Sequence, residues 1–236
     1  MTDPHPPYRT RRELLKLSPL LLLGGFAVPS WRDRLLEGGV GWSDDASALA
    51  FRGDHLAASH PDTDVVPLDR FPYNGYDVIE PEIDFANWTL AVGGAVARPG
   101  PYTLDQIRAL PKQTHNTRHV CVEGWDVVGR FGGARVADFL AMAGADPAAR
   151  FLTVSCADDY YESLDMATAL HPQSLLCYEM YDRPLDRGHG APLRLNLPAK
   201  LGYKQAKYLM TLEVTHVLPA RRSYWGDQGY SWYGGL

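Results

Sequence analysis

From Asn87 to the C-terminus the chain is cut into short runs, and that punctuation limits the folds open to it. Trp88 to Val92 alternates like a half-buried strand and stops at Gly93-Gly94. Residues 117–122, Phe151 to Cys156, Pro192 to Leu197 and Tyr208 to Val217 read as further strands. Only two stretches read as helices. Thr103 and Gln106 open one with capping-box spacing, and Pro111 closes it. Arg135 to Ala143 forms the other, stopped by Gly144. Strands outnumber helices and no internal repeat is present, so the expected class is α+β with mixed sheets.

Composition removes several function classes. With 45% hydrophobic residues in 236, the chain has enough apolar material for a real core, and six Trp do not suit a solvated coil. Three cysteines are neither dense nor even, which excludes a disulfide-stapled mini-fold. No apolar run approaches the roughly 20 residues of a membrane span, so a multi-span protein is excluded. A formal charge of −5 without a long basic stripe argues against nucleic acid as a partner.

The first thirty residues read as a leader. Arg9, Arg11, Arg12 and Lys16 stand against Asp3 and Glu13, a local charge of +2, and an apolar stretch follows from Leu17 to Val28. A basic start followed by a short apolar segment is the pattern of a secretory signal. Thr10-Arg11-Arg12-Glu13-Leu14-Leu15-Lys16 matches the twin-arginine pattern, which implies the twin-arginine translocase as a partner and a periplasmic or extracytoplasmic destination. Pro19 and Gly24-Gly25 would disrupt a docked amphipathic helix here. Val28-Pro29-Ser30 is a poor cleavage site, so an uncleaved signal would leave a membrane anchor. The expected organisation is a signal over residues 1–30, a linker or surface wrap over 31–69, and the folded domain over 70–236.

Cys121, Cys156 and Cys177 lack the CxxC spacing of zinc or haem sites. In an exported protein the odd count leaves a thiol unpaired. Cys121 sits where a strand runs into Val122-Glu123-Gly124-Trp125-Asp126, and a thiolate so placed is a soft-metal ligand, although a buried structural cysteine would look the same. Arg194, Lys200, Lys204 and Lys207 follow an apolar strand. A guanidinium binds phosphate oxygens bidentately and ammonium groups add point charges. The helical spacing of the three lysines is equally that of a solvated basic face.

The words around these residues resemble a known family. Arg118-His119-Val120-Cys121-Val122-Glu123-Gly124-Trp125 resembles the cysteine motif of the sulfite oxidase superfamily of molybdenum enzymes. It is closest to the bacterial branch that contains the periplasmic methionine sulfoxide reductase catalytic subunit. Phe71-Pro72-Tyr73-Asn74-Gly75-Tyr76-Asp77 resembles the opening pterin-contacting segment. His189 to Leu195 and Pro198 to Lys207 resemble the strand–loop phosphate block, and Tyr224 to Tyr230 the family's ending. These matches fall in chain order over residues 70–236.

The resemblance implies a sulfite-oxidase-type molybdopterin-binding fold and a molybdenum–molybdopterin cofactor. By family position, Cys121 ligates molybdenum. Asn74, Tyr76, Asp77, Cys156, His189, Arg194, Lys204, Gln205, Ala206 and Lys207 contact the cofactor, with Cys156 standing where reductase relatives carry Thr. Glu123 would relay protons, and Glu123, Trp125 and Asp126 would line the substrate side. The implied reaction is two-electron oxygen-atom transfer on a small-molecule substrate. Sulfite oxidases place an arginine five residues after the ligand cysteine; here that position is Asp126, which favours reduction of an S-oxide or N-oxide over sulfite oxidation. No haem motif is present, so electrons would come from a membrane cytochrome b-type protein. The chain ends without an added immunoglobulin-like module, and a monomer is expected. The rivals are a cysteine hydrolase pairing Cys121 with His119 or His189, and a non-catalytic exported binding domain.

Overall fold

The computed structural model describes Gly39, residues 42–44, 46–47, Phe51, 55–73 and 80–236. The chain divides into two units, Met1–Ser43 and Asp44–Leu236, and the second carries every element below. In chain order these are β1 (Thr89–Gly94), β2 (Gly100–Thr103), α1 (Leu104–Arg108), β3 (Lys112–Val120), β4 (Asp126–Arg135), α2 (Val136–Ala143), β5 (Phe151–Cys156) and β6 (Tyr161–Asp165). Then follow α3 (Met166–Ala169), β7 (Leu175–Met180), β8 (Arg183–Pro184), β9 (Arg194–Asn196) and β10 (Leu209–Thr215), with single 3₁₀ turns at Gly202–Lys204 and Gly226–Gln228.

Two five-stranded sheets result. The first runs β2-β1-β10-β5-β6 and is mixed, because β1 pairs β10 in parallel while its other pairs are antiparallel. The second runs β3-β4-β7-β8, with β9 added on β7, and is antiparallel. The α+β expectation holds.

Local chemistry accounts for the short helices. Thr103 and Gln106 form a reciprocal capping box at the start of α1, worth about 1 kcal/mol. Val136, Phe139, Leu140 and Ala143 bury one face of α2, and Gly144 at φ 69° ends it in the left-handed conformation. The larger core gathers Leu90, Val92, Ile107, Phe139, Leu152, Leu164, Leu212 and Val214. Each such aliphatic or aromatic side chain contributes about 1.5–3 kcal/mol when fully buried. A smaller cluster around Phe71, Phe131, Leu175 and Met180 lies under the second sheet.

Strand boundaries depart from the sequence reading in instructive ways. β5 coincides with the expected Phe151 to Cys156. The run at 117–122 is the end of a longer β3 that stops at Val120, so Cys121 lies in the turn beyond it. The run at 192–197 contracts to β9, consistent with Pro192 having no N–H to give a ladder. Residues 200–207 hold only the 3₁₀ turn Gly202–Lys204 and no α-helix, so the α-helical spacing of Lys200, Lys204 and Lys207 has no structural counterpart. Before β1, residues 60 and 66 bond to the hairpin edge, His60 N to Asn116 O and Val66 N to Val128 O, both at 3.0 Å. Among the described residues no helix is long and apolar enough to cross a membrane.

Candidate active site

The β3–β4 hairpin turns at Cys121. Its amide donates to Trp125 O at 2.9 Å and its carbonyl accepts from Gly124 N at 3.2 Å, which closes a tight turn. Gly124 sits at φ +93°, a conformation that any side chain would strain. The turn thus presents Cys121, Val122, Glu123 and Trp125 to a cavity of about 330 Å³. Inside it, Cys121 Sγ lies 3.6 Å from Glu123 Oε2, and the same oxygen accepts from Trp125 Nε1 at 3.0 Å.

A second wall comes from the chain around β9. Arg194 is fully buried and donates to His189 O at 2.9 Å and Gln205 O at 3.4 Å. Lys207 Nζ donates to Gly188 O at 2.9 Å. Asn196 Nδ2 donates to Gln205 Oε1 at 3.1 Å, and Leu195 N to Ala206 O at 2.8 Å, tying residues 205–206 onto the strand. Gly202 lets this loop approach β3: a Cβ there would stand 2.8 Å from His119 Nε2 and 3.2 Å from Val120 O. His189, Arg194, Gln205, Ala206 and Lys207 therefore line one cavity with Cys121 and Glu123.

Burial dominates the electrostatics of this wall. Burial, reinforced by the Arg194 charge, holds His119 down to about 3 and Lys207 down to about 8. His189 is lowered by burial, with Asp186 opposing and Arg194 and Lys207 assisting. Burial also lowers Arg194 itself. Among the described residues Arg194 forms no ion pair within 4 Å, and His119 Nδ1 is buried without a hydrogen-bond partner. A buried guanidinium that, among the described residues, has no carboxylate within ion-pair distance leaves room for an anion, with Asp186 acting on it only from farther away.

Several expected residues lie elsewhere. Lys204 does not line the cavity; its ammonium is buried against Glu162 Oε1 at 2.5 Å. Cys156 ends β5 within the larger core, outside the lining, and burial pushes its thiol well above the ordinary range. Asp126 is drawn to the exposed side of the hairpin by an ion pair with Arg118 and does not reach the cavity. Asn74, Tyr76 and Asp77 lie outside the described residues.

The lining also holds Asp158 and Tyr160, which the sequence did not single out for a site, together with Phe71 and Tyr203 from the segments that resemble the pterin and phosphate motifs. Asp158 and Tyr160 follow Cys156 by two and four residues, and through them the loop after β5 reaches the cavity that Cys156 itself does not line. Trp225 and Tyr230, within the expected family ending, line the cavity as well.

Comparison with known proteins decides the family. The oxidoreductase molybdopterin binding domain matches residues 77–225. The chain belongs to this molybdopterin-binding oxidoreductase family. Among its relatives is a candidate protein-methionine-sulfoxide reductase subunit, YedZ1, of Azospira oryzae, 43% identical over 78% of this chain and 70% of that one. Another is the protein-methionine-sulfoxide reductase catalytic subunit MsrP of Xanthomonas axonopodis pv. citri, 28% identical over 72% of this chain and 59% of that one. The sulfane dehydrogenase SoxCD from Paracoccus pantotrophus shares the fold, with a TM-score of 0.55 and 20% identity over 58% of this chain and 40% of that one. The molybdopterin-binding oxidoreductase is therefore a molybdenum enzyme of sulfite-oxidase-type α+β fold.

The cavity of the molybdopterin-binding oxidoreductase suits that cofactor's chemistry. A thiol at a hairpin turn matches a soft metal, and the buried Arg194, which forms no ion pair among the described residues, matches a phosphate.

Proposed function

We propose that this oxidoreductase reduces a small S-oxide, or failing that an N-oxide, in the cavity between the Cys121 turn and the β9 wall. Bound there, molybdenum–molybdopterin supplies oxygen-atom abstraction with two electrons. The overall change consumes two electrons and two protons per S-oxide and yields the sulfide and water.

The chain's own residues have separable tasks. Cys121 would hold the metal as thiolate. Arg194 and Lys207 would take the cofactor's phosphate, with His189, Gln205 and Ala206 fixing the pterin; Asn74, Tyr76 and Asp77 are proposed to complete that contact. Glu123, held by the Trp125 indole N–H at 3.0 Å beside Cys121, is placed to hold a proton at Oε2 and deliver it to the leaving oxygen. Val122, Trp125, Trp225 and Tyr230 would exclude water and receive the apolar flanks of the substrate.

The observation that carries this reading is the buried Arg194 guanidinium, which lines the cavity of the Cys121 thiol and, among the described residues, has no carboxylate within ion-pair distance. Sulfite oxidation fits less well. Arg118 is paired with Asp126, Arg130 with Asp62 and Asp182, and neither arginine lines the cavity, whereas Glu123 and Asp158 do. Two carboxylates facing a sulfite anion would cost about a kcal/mol or more.

The proposal extends to the surroundings of the domain. Residues 1–30 would act as a twin-arginine signal, and export of a chain folded around its cofactor would place the domain 70–236 outside the cytoplasm. Residues 31–69 would wrap or link, the chain would act as a monomer without haem, and electrons would arrive from a membrane cytochrome b-type partner. The relatives named as reductase subunits support such a division of labour.

The test is metal and cofactor analysis of protein from a host that makes molybdopterin, with assays on methionine sulfoxide and sulfite. Bound molybdenum and a specificity constant far higher for the sulfoxide are expected. A metal-free protein, or a preference for sulfite, would overturn the reading.

A further inference from the structure

Lys204 sits in the expected phosphate block, yet its ammonium has no proton left for an anion. Its three N–H groups meet Glu162 Oε1 at 2.5 Å, Ser163 O at 2.9 Å and Trp232 O at 2.6 Å. Two of those acceptors lie on β6, and the third lies in the C-terminal segment.

That segment is held from other sides as well. Lys200 Nζ donates to Tyr233 O at 3.0 Å and stands 3.0 Å from the centroid of the Tyr233 ring. Tyr203 OH donates to Ser231 O at 2.8 Å, and Leu201 N to Gly234 O at 2.9 Å. The Asp44 carboxylate accepts from Trp232 N at 3.0 Å, from Tyr233 N at 3.2 Å, and from the Ser231 hydroxyl. Residues 231–234 are thus fastened to the loop 200–204, which continues directly into the cavity-lining Gln205, Ala206 and Lys207.

Immediately upstream stand two lining aromatics. Trp225 and Tyr230 meet edge to face at 5.1 Å, and Tyr230 N donates to Trp225 O at 3.0 Å. Tyr230 also touches the Tyr203 ring, centroids 6.1 Å apart. The position of this wall therefore depends on where the fastened segment sits.

We propose that Lys204 is a positioning residue: with Lys200 and Asp44 it clasps residues 231–234 and so holds Trp225 and Tyr230 as the wall that selects the substrate's apolar substituent. This rests on the S-oxide reading for its substrate, but the clasp itself does not. The wall is neutral and aromatic, so it favours a sulfoxide carrying a ring or long alkyl group over a minimal one.

The test uses three variants of the full chain and three readouts. Trp225→Ala removes the wall. The charge-neutral double variant Glu162→Gln with Lys204→Met loosens the clasp without leaving a lone buried charge. Asp44→Asn loosens it from the opposite side and stands in if the double variant fails to fold. The readouts are molybdenum content, hydrogen exchange of residues 223–236, and the ratio of kcat/KM for methyl p-tolyl sulfoxide to that for dimethyl sulfoxide. The ratio is expected to fall about tenfold in Trp225→Ala, the discrimination that an apolar pocket supplies. It should fall in the same direction in both clasp variants, with faster exchange confined to the tail and molybdenum retained. Loss of molybdenum from the double variant with the ratio preserved would make Lys204 an anion ligand and overturn the proposal. So would tail exchange at the wild-type rate in both clasp variants. Wild-type protein lacking molybdenum would instead defeat the S-oxide reading, while the exchange measurement would still decide the clasp.

Discussion

The guanidinium of Arg194 donates through Nη1 to the carbonyl oxygen of His189 at 2.9 Å, which binds the β9 strand to the loop that precedes it. That bond aims a buried cation into the cavity and fixes the chain that would surround a phosphate. Arg194→Ala removes a charge-assisted contact worth about 1.5–3 kcal/mol, so cofactor should be held roughly ten- to a hundredfold more weakly. Molybdopterin released per chain is the measure. Full occupancy in a double variant, Arg194→Ala with Lys207→Ala, would reduce this wall to a structural feature.

Lys207 gives the cofactor-free protein a defined pH dependence. In the folded chain its ammonium is pushed down to about 8, against an ordinary 10.5, first by burial and then by Arg194. Between those values the unfolded chain holds the extra proton, so the stability cost of burying the charge is present below about pH 8 and fades as pH rises toward 10.5. An anion in the cavity has the opposite preference, for the protonated form. Thermal stabilisation by inorganic phosphate should therefore shrink as pH is raised through about 8, and Lys207→Met should flatten that dependence. Phosphate protection of the wild type that does not vary with pH would contradict the assignment.

Glu123 is tested by a change of almost no volume. Glu123→Gln keeps an acceptor for the Trp125 indole but cannot pass on a proton, so kcat for S-oxide reduction should drop by about 10²–10⁴ while molybdenum content holds. Steady-state rates with a reduced dye as electron donor would show it. An unchanged kcat would leave Glu123 as a hydrogen-bond acceptor for the indole and nothing more.

How far the sequence revealed the site depends on the range of each interaction. The capping box of Thr103 and Gln106 and the bounds of β5 are local, carried by residues within a few positions of one another, whereas the strand reading of 117–122 runs past Val120 into the Cys121 turn. Lys204 lies outside the cavity because its partner, Glu162, is on β6, 42 residues away in the chain, a pairing that local spacing does not reveal. Asp126 follows the cysteine closely in sequence, but pairing with Arg118 across the hairpin turns it outward. The second lining carboxylate is Asp158, supplied by the loop after β5. β4 has no strand signature in the sequence because Gly129, Gly132 and Gly133 break its alternation, although it lies between β3 and β7 and buries Phe131. Trp225 and Tyr230 read as part of an ending, whereas the segment just beyond them is held by Asp44 and Lys204, which sequence spacing does not connect to it.

Cys156 and Cys177 should be chemically quiet. Burial raises the Cys156 thiol well above its ordinary range and pushes Cys177 up to about 11, so the reactive thiolate is scarce near neutral pH. Mass-spectrometric mapping of alkylation in native protein at about pH 7.5 should leave both unmodified. Rapid labelling of either would mean that the core around it opens far more readily than its packing implies.

The central claim is that the Cys121 thiolate is the protein's bond to molybdenum, and X-ray absorption at the molybdenum edge tests it most directly. Wild-type protein and Cys121→Ser should both carry the metal, because the Arg194 and Lys207 wall is intact in each. The variant should be folded and inactive, with one fewer sulfur neighbour around molybdenum than the wild type. An unchanged sulfur count, or full turnover by Cys121→Ser with molybdenum bound, would contradict the account.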